Sequence, residues 1–530
     1  METWITISLI TVPSALLLKY TFDLLSRHKL NGKKKGLPPG PPLLTLLGLV
    51  PWLGKSADDI KAVIVSLRSK YGDIINLPTG SPSNIMVYSF SLAHQALVQG
   101  GTIFADRPEQ PLTVKLMTIN CHTIHSAGYG PTWRTLRRNI AEFLHPSRLK
   151  SFTHARKWTL QNLKDHLNDS FHENKAITVR DHVEHAMFCL LAFLCFGSNL
   201  DENQIKHMEP IIRKPYKWGN NLEVLDLLPP FLTKVFFPHK WEGLFKMKTD
   251  IEQVVLPLIK ARRKAKIDRE KSEKQGYDSN NNEDPITYLD TLLDLEWDED
   301  GGKRKATEEE MVVICTEFMN PGSDTTWIAM EWIMANLIKY PEVQDRLYKE
   351  IEGVMGPDGC EEVLEENLHK IPYLKAVILE TLRRHPPGNI LLPHAVTEDV
   401  DLGGYTIPKK SAVNFLVQEM HRDENVWENP MEFNPERFTQ QQEEAKGEGA
   451  IFNISGSREM KMMPFGLGRR ICPGYSLAML HMHYFVANLV WNYEWKAVED
   501  VDLSETQNVF LVMKNPVRCR VLPRRSKVVK

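Results

Sequence analysis

Near its C-terminal end the chain carries one cysteine in a glycine- and arginine-rich loop, Phe465-Gly466-Leu467-Gly468-Arg469-Arg470-Ile471-Cys472-Pro473-Gly474, with an apolar helical run behind it. Glycines let the backbone adopt positive φ and come close to a flat ligand. A helix starting after Pro473 directs free N–H groups and a partial positive charge at the sulfur, favouring the deprotonated form that metals bind. Arg469 and Arg470 add cationic charge beside it. No second Cys or His stands at zinc-ligand spacing, which argues against a four-ligand structural zinc site. A single thiolate with the rest of the metal open fits haem iron, where thiolate donation favours O–O cleavage. A buried cysteine in an ordinary loop fits the loop chemistry equally well.

The 530 residues can bury a large core, and the net charge of −2 argues against a general nucleic-acid binder. Seven cysteines (Cys121, Cys189, Cys195, Cys315, Cys360, Cys472 and Cys519) are scattered, odd in number and free of any CxxC pair. That pattern suits a reducing compartment rather than a disulfide framework. From Trp4 to Leu18 the chain is apolar apart from small hydroxyl residues, and Tyr20, Phe22, Leu24 and Leu25 extend the stretch. It reaches the roughly 20 residues of a bilayer span by tolerating Pro13, Lys19 and Asp23. Arg27, His28, Lys29, Lys33, Lys34 and Lys35 follow, which keeps the remainder on the cytosolic side. No convincing small-residue cleavage site follows, so residues 1–36 are expected to be an uncleaved anchor with a basic flank. Residues 37–44, opening with Leu37-Pro38-Pro39-Gly40-Pro41-Pro42, form a stiff hinge. Residues 45–530 are expected to form the catalytic domain.

Helical periodicity dominates that region, as over Lys375–Arg384 and Ala478–Trp491. Short strand-like runs stand at Ile75–Leu77, Ile85–Tyr88, Val400–Ile407 and Val509–Met513, so the expected class is mainly α with small β-sheets. Lys266–Asp284, charged and Asn-rich at its end, reads as a surface loop. The polar segment Asp298–Lys305 precedes a strong helix start, where Thr307 and Glu310 have capping-box spacing.

Inside that helix lies Pro321-Gly322-Ser323-Asp324-Thr325-Thr326. Proline removes one i→i−4 bond and the adjacent glycine weakens the turn, so carbonyls are freed to hold water or a small ligand. Asp324 and Thr325 place a carboxylate and a hydroxyl beside the opening, groups suited to delivering protons. A plain Asp-Thr-Thr interruption of a helix is the structural alternative. Glu380 and Arg383 share a helix face, where such a pair is ordinarily a surface contact of little worth. Trp133 and Arg137 also share a face, and arginine holds carboxylates bidentately. Gly466-Leu467-Gly468 lacks the third glycine and the flanking strand of a dinucleotide site, and no other strand-GxGxxG-helix motif is present.

Together, Phe465, Gly468, Arg470, Cys472 and Gly474 resemble the haem-binding signature of the cytochromes P-450, the haem-thiolate monooxygenases. Four further motifs follow in that superfamily's order, covering nearly the whole chain. The resemblance implies a helical domain with small sheets around a buried haem b, with Cys472 as iron ligand. It implies that Asp324 and Thr325 lie over the distal face and supply protons for dioxygen activation. Alanine or glycine is usual where this chain has Pro321, which bears on the width of the oxygen groove. Glu380 and Arg383, with Arg437 from Pro435-Glu436-Arg437-Phe438, are implied to form a buried cluster that locks the cysteine loop's scaffold. Trp133, Arg137, His394 and Arg470 match positions that contact the haem propionates.

The same resemblance implies NADPH–cytochrome P-450 reductase as electron donor and an endoplasmic-reticulum membrane location with a cytosolic catalytic domain. Arg469 and Lys461 are candidates for docking the reductase's acidic surface. The family's substrate-contacting segments map to Ala105–Tyr129, Pro215–Lys248, Met311–Thr325, Pro386–Val396 and Thr506–Met513. Their apolar residues (Trp218, Leu227, Leu228, Phe236, Phe237, Ile390, Leu391, Leu392, Phe510, Leu511) imply a lipophilic or amphipathic substrate, unless they simply pack the core. The haem loop is similar to those of plant A-type members and the plant eighty-nine family, some of which oxidise linear tetrapyrroles. Two rival classes are a haem-thiolate isomerase or dehydratase rearranging peroxides, and a non-enzymatic haem binder. The acid–alcohol pair favours the monooxygenase over both.

Overall fold

The computed structural model describes residues 36–41, 56–77, 83–197, 200–215, 224–226, 229–274, 285–299, 302–356, 360–439 and 461–524. Its principal helices are α1 (Ala57–Tyr71), α2 (Pro131–Phe143), α3 (Thr153–His172), α4 (Val179–Phe196) and α5 (Glu202–Ile212), then α6 (Pro238–Lys274), α7 (Glu308–Lys339), α8 (Pro372–Arg384) and α9 (Tyr475–Asn492). The class is mainly α with small sheets, as the sequence predicts.

Helix α7 is the axis of the core. Its start is the expected capping box: Glu310 N–H donates to Thr307 Oγ1 at 3.2 Å, and Thr307 N–H donates to the Glu310 carboxylate at 2.8 Å. Beyond that cap, buried side chains occur on all sides from Met311 to Ile338, the pattern of a helix surrounded by protein. It packs on α4, whose Met187–Phe196 run is wholly buried, and on α6, α8 and α9. Trp332 is fully buried, stacks on His385 at 3.9 Å and donates to Leu511 O. Truncating such a side chain to alanine costs about 3–5 kcal/mol.

Two small sheets flank the helices. One has the order β1 (Ile74–Leu77), β2 (Asn84–Val87), β5 (Ala412–Phe415), β4 (His394–Ala395), antiparallel except for the parallel β2/β5 pair. The other joins β3 (Ile177–Thr178), β7 (Arg518–Pro523) and β6 (Tyr493–Ala497), all antiparallel. Val400–Ile407 resolves into a hairpin, Val400–Leu402 against Tyr405–Ile407, and Leu511–Met513 pairs with Glu505–Gln507.

One sequence expectation changes. Lys266–Lys274 is not loop but the last part of α6, because Lys, Arg and Glu are good helix formers whatever their polarity. The rest of that stretch, 275–284, lies outside the described residues. The polar segment before α7 takes part in a hairpin, with Glu296 opposite Lys305 and Trp297 opposite Arg304. The proposed anchor and its flank lie outside the described residues up to 35, as do hinge residues 42–44; among the described residues no helix is long and apolar enough to cross a membrane. The described part of the hinge lies along the sheet: Asn76 N–H donates to Pro39 O at 2.9 Å, and Thr406 N–H to Gly36 O at 3.2 Å.

Candidate functional site

The cysteine loop folds tightly because its glycines permit it. Gly466 and Gly468 have φ of +74° and +71°, the left-handed region that other residues avoid. At Gly468 space matters as much, since a Cβ there would lie 2.0 Å from Leu97 O in the π-helical turn Gln95–Gln99. Cys472 N–H donates to Phe465 O at 2.9 Å and closes the loop on itself. Gly474, the N-cap of α9, has φ of −90° and room for a Cβ 3.9 Å from the sulfur, and its N–H donates to the Cys472 sulfur. Burial pushes the Cys472 thiol up, while the Gly474 N–H and the charge of Arg137 pull it down. Burial wins, so the helix start and nearby cations do not by themselves make a thiolate. Deprotonation would need a further cation, such as a bound metal.

Behind the loop stands the expected charge cluster. Glu380 and Arg383 are completely buried and joined twice, Nε to Oε2 at 2.7 Å and Nη2 to Oε1 at 2.8 Å. Arg437 Nε approaches Glu380 Oε1 at 3.5 Å, and Asn434 N–H donates to the same oxygen at 2.9 Å. The structure therefore brings Glu380, Arg383 and Arg437 together. It also supplies a link the sequence analysis missed. His421 accepts a bond from Met463 N–H at Nε2 (2.8 Å), and its Nδ1 donates to Arg383 O (3.2 Å). Burial, then the charge of Arg383, push His421 down to about 3, so the imidazole is neutral and the tautomer follows from its two partners. The cluster thus reaches Met463, two residues before the loop begins at Phe465.

On the other side of the cysteine a group of cations gathers. Arg470 donates to Ala105 O, Ile124 O and Ala127 O, and its guanidinium lies 4.8 Å from the centre of the Trp133 ring. Trp133 and Arg137 come from α2, and the Trp133 Nε1–H is buried without an acceptor. Arg107, also missed in the sequence, donates to His125 O, Leu392 O and Pro393 O. Burial holds Arg107 down at about 9 and Arg470 at about 10, and Arg470 depresses Arg107 further. Among the described residues none of Arg107, Arg137 and Arg470 makes a salt bridge; Asp106 lends only a more distant attraction. Half-buried cations that repel one another, beside an orphaned buried indole N–H, call for an anion. A haem with two carboxylates fits that demand, held by Trp133, Arg137, Arg470 and Arg107. His394 fits it less well. Burial and Arg107 push it down to about 3, and its Nδ1–H is spent on Phe104 O at 2.7 Å. A neutral imidazole so placed has only a lone pair left for a carboxylate.

Across the site α7 runs uninterrupted through Pro321. Thr325 Oγ1 donates to Pro321 O at 2.8 Å and Thr326 Oγ1 to Gly322 O at 3.0 Å. Asp324 turns elsewhere: its Oδ1 pairs with Arg213 and accepts from Trp327 Nε1 at 3.2 Å. Burial raises the Asp324 carboxyl and Arg213 opposes that, leaving it above the usual carboxylate range. Two turns before Asp324 the Glu317 carboxylate accepts the N–H groups of Ile124 and His125 at 2.8 and 2.7 Å, fastening the loop before α2 to α7.

A family model described as Cytochrome P450 matches residues 38–522. The chain belongs to the cytochrome P450 family. Within that family it is 45% identical to "Cytochrome P450 89A9" of Arabidopsis thaliana, over 92% of this chain and 94% of the relative, which sets it with the plant 89 family. It is 30% identical to "Iridoid oxidase" of Catharanthus roseus, over 93% of each chain. With "Isoflavone 3'-hydroxylase" of Medicago truncatula it shares 29% identity over 99% of each. A zebrafish cytochrome P450 solved with progesterone superposes with a TM-score of 0.69 at 23% identity, covering 87% of this chain and 99% of that one.

Against the family's substrate-contacting segments, the apolar residues divide. Leu511 is core at 1% exposure and Leu391 packs on the cluster holding Phe415 and Leu467, whereas Phe236 and Leu392 are 65% and 55% exposed. Trp218, Leu227 and Leu228 lie outside the described residues. Of the two proposed docking cations, Arg469 is exposed and donates to Tyr129 Oη at 2.9 Å, and Lys461 is half-buried.

Proposed function

We propose that this P450 is a haem-thiolate monooxygenase that inserts one atom of O2 into a lipophilic organic substrate. Electrons come from NADPH through a separate NADPH–cytochrome P-450 reductase at the endoplasmic-reticulum membrane. The observation that carries the reading is the pairing of Cys472, wrapped by Gly466, Gly468 and Gly474, with half-buried arginines that have no carboxylate of their own among the described residues. Haem b, when bound, supplies an iron centre that binds and activates dioxygen.

The chain's residues do the rest. Cys472 provides the thiolate, with the Gly474 N–H tempering its charge. Trp133, Arg137, Arg470 and Arg107 hold the propionates and fix the ring's orientation. Asp324, whose carboxyl is biased toward the protonated form by burial, carries a proton on the distal side, and Thr325 Oγ1 passes it or holds water. Glu380, Arg383 and Arg437 keep the loop in register through His421. Arg469 and Lys461 offer positive charge to an acidic reductase surface; charge reversal at both slows reduction at low salt under this reading.

The test uses purified full-length chain with reductase, NADPH and isotopically labelled O2 against a panel of plant lipophiles. Label in one product oxygen, dependent on NADPH, supports the proposal. Peroxide rearrangement without reductase places the chain among isomerases instead, and spectral binding without turnover leaves a haem-binding protein.

A further inference from the structure

Arg213 lies one residue past the end of α5, buried beside the middle of α7, and three carboxylates crowd its guanidinium. Asp324 Oδ1 pairs with Nη1 from the interior. Glu184 Oε1, on α4, stands 3.1 Å from the same nitrogen, and Glu209 Oε1, on α5, stands 3.1 Å from Nε. The second of these is an ion pair without hydrogen-bond geometry, since Nε is buried with no acceptor aligned to it. The other oxygen of Glu209 lies 2.7 Å from His185 Nδ1, and His185 Nε2 lies 3.4 Å from Cys189 Sγ. From Arg213 outward side-chain exposure climbs, 3% at Arg213, 16% at Glu209 and 25% at His185, with Asp324 on the inner side at 10%. One end is solvent; the other is the acid assigned to proton delivery.

One guanidinium cannot satisfy three anions equally in a poorly solvated setting, so tightening one contact loosens the others. We propose that Glu209 and His185 are positioning residues for the Asp324 carboxylate, acting through Arg213. This rests on the reading of Asp324 as proton donor. Glu209 draws Arg213 outward; His185, cationic beside it, partly neutralises Glu209 and lets Arg213 stay with Asp324. The contacts with Cys189 and then Glu209 raise His185 to about 10, so it is charged at neutral pH and substitution is the practical handle. Glu202 on α5 adds to the negative field around His185.

The two outer residues therefore act with opposite sign. Glu209→Gln removes a competitor, tightens Arg213 on Asp324 and slows proton delivery. His185→Gln exposes the charge of Glu209, pulls Arg213 outward and frees Asp324. The experiment follows substrate-free NADPH oxidation by the full-length haem-loaded chain with reductase, in H2O and D2O. Glu209→Gln is expected to lower the rate about threefold and enlarge the solvent isotope effect, and His185→Gln to do the reverse. Adding His185→Gln to Glu209→Gln changes nothing further, and Glu209→Asp restores the rate. The infrared carbonyl band of protonated Asp324, identified by its loss in Asp324→Asn, weakens in Glu209→Gln and strengthens in His185→Gln. Haem loading and the carbon-monoxide spectrum of each variant exclude misfolding as the cause.

Changes of the same sign in both variants overturn the proposal, as does an unmoved rate and band in both. If Asp324→Asn leaves the rate unchanged, the donor reading falls, while the band still decides whether His185 and Glu209 govern Asp324.

Discussion

In the Glu380–Arg383–His421 brace behind Cys472 the polar groups have fixed partners, whereas around Asp324 one cation answers to three anions. Glu380 and Arg383 are joined twice, His421 spends both ring nitrogens, and Gly468 sits where no side chain fits. Arg213, by contrast, is shared by Asp324, Glu184 and Glu209, with one N–H uncommitted. The difference separates two tasks. Holding a metal ligand at one position rewards redundancy, and changes there act all at once. Moving a proton rewards a balance that small perturbations tip, and changes there act by degrees.

Substitutions on both sides and one pH series sharpen or break that contrast. Cys472→Ala is expected to abolish both the thiolate-type spectrum and NADPH-dependent oxygenation; a variant that loses one and keeps the other breaks the account of the loop. Glu380→Gln strands two buried guanidinium groups at a cost of about 3–5 kcal/mol, measured by urea unfolding of the haem-loaded chain. A cost below that of a surface pair would mean the cluster does not brace the loop. Gly468→Ala combines a 2.0 Å clash with positive φ and should cost about 1–3 kcal/mol. Gly474→Ala, at φ −90° and 3.9 Å from the sulfur, should cost less on folding, so a reversed order would contradict the packing argument.

On the other face effects are graded. Thr325→Ala should keep the spectrum and divert electrons to hydrogen peroxide, read as peroxide formed per NADPH; tight coupling would remove Thr325 from proton handling. The smallest effect is one of pH. His421 is held neutral at about 3, below its ordinary 6.5, so the unfolded chain takes up the proton first as acid is added. Its contribution to stability is complete above 6.5 and declines as pH falls from there toward 3. Unfolding midpoints should drop over that window, less steeply in His421→Gln.

What the sequence disclosed tracks how local each arrangement is. The cysteine loop and the capping box of α7 are written within ten residues, and Glu380 with Arg383 within one helical turn, so spacing alone points to them. Arg437 needed the family's pattern. His421, Arg107 and Arg213 escaped notice because each acquires its role from a partner far along the chain: Met463, Leu392 and Asp324 respectively. Lys266–Lys274 was misjudged for another reason, since charge density was read as loop where helix propensity prevailed. Apolar composition likewise named Leu511 and Phe236 together, although only packing separates a core residue from an outward one.

The most direct test of the central claim is the absorption spectrum of the purified, fully haem-loaded chain, reduced and treated with carbon monoxide. The account predicts a Soret band displaced to the red, the mark of cysteine sulfur bound opposite the gas. An undisplaced band at full haem loading would contradict it.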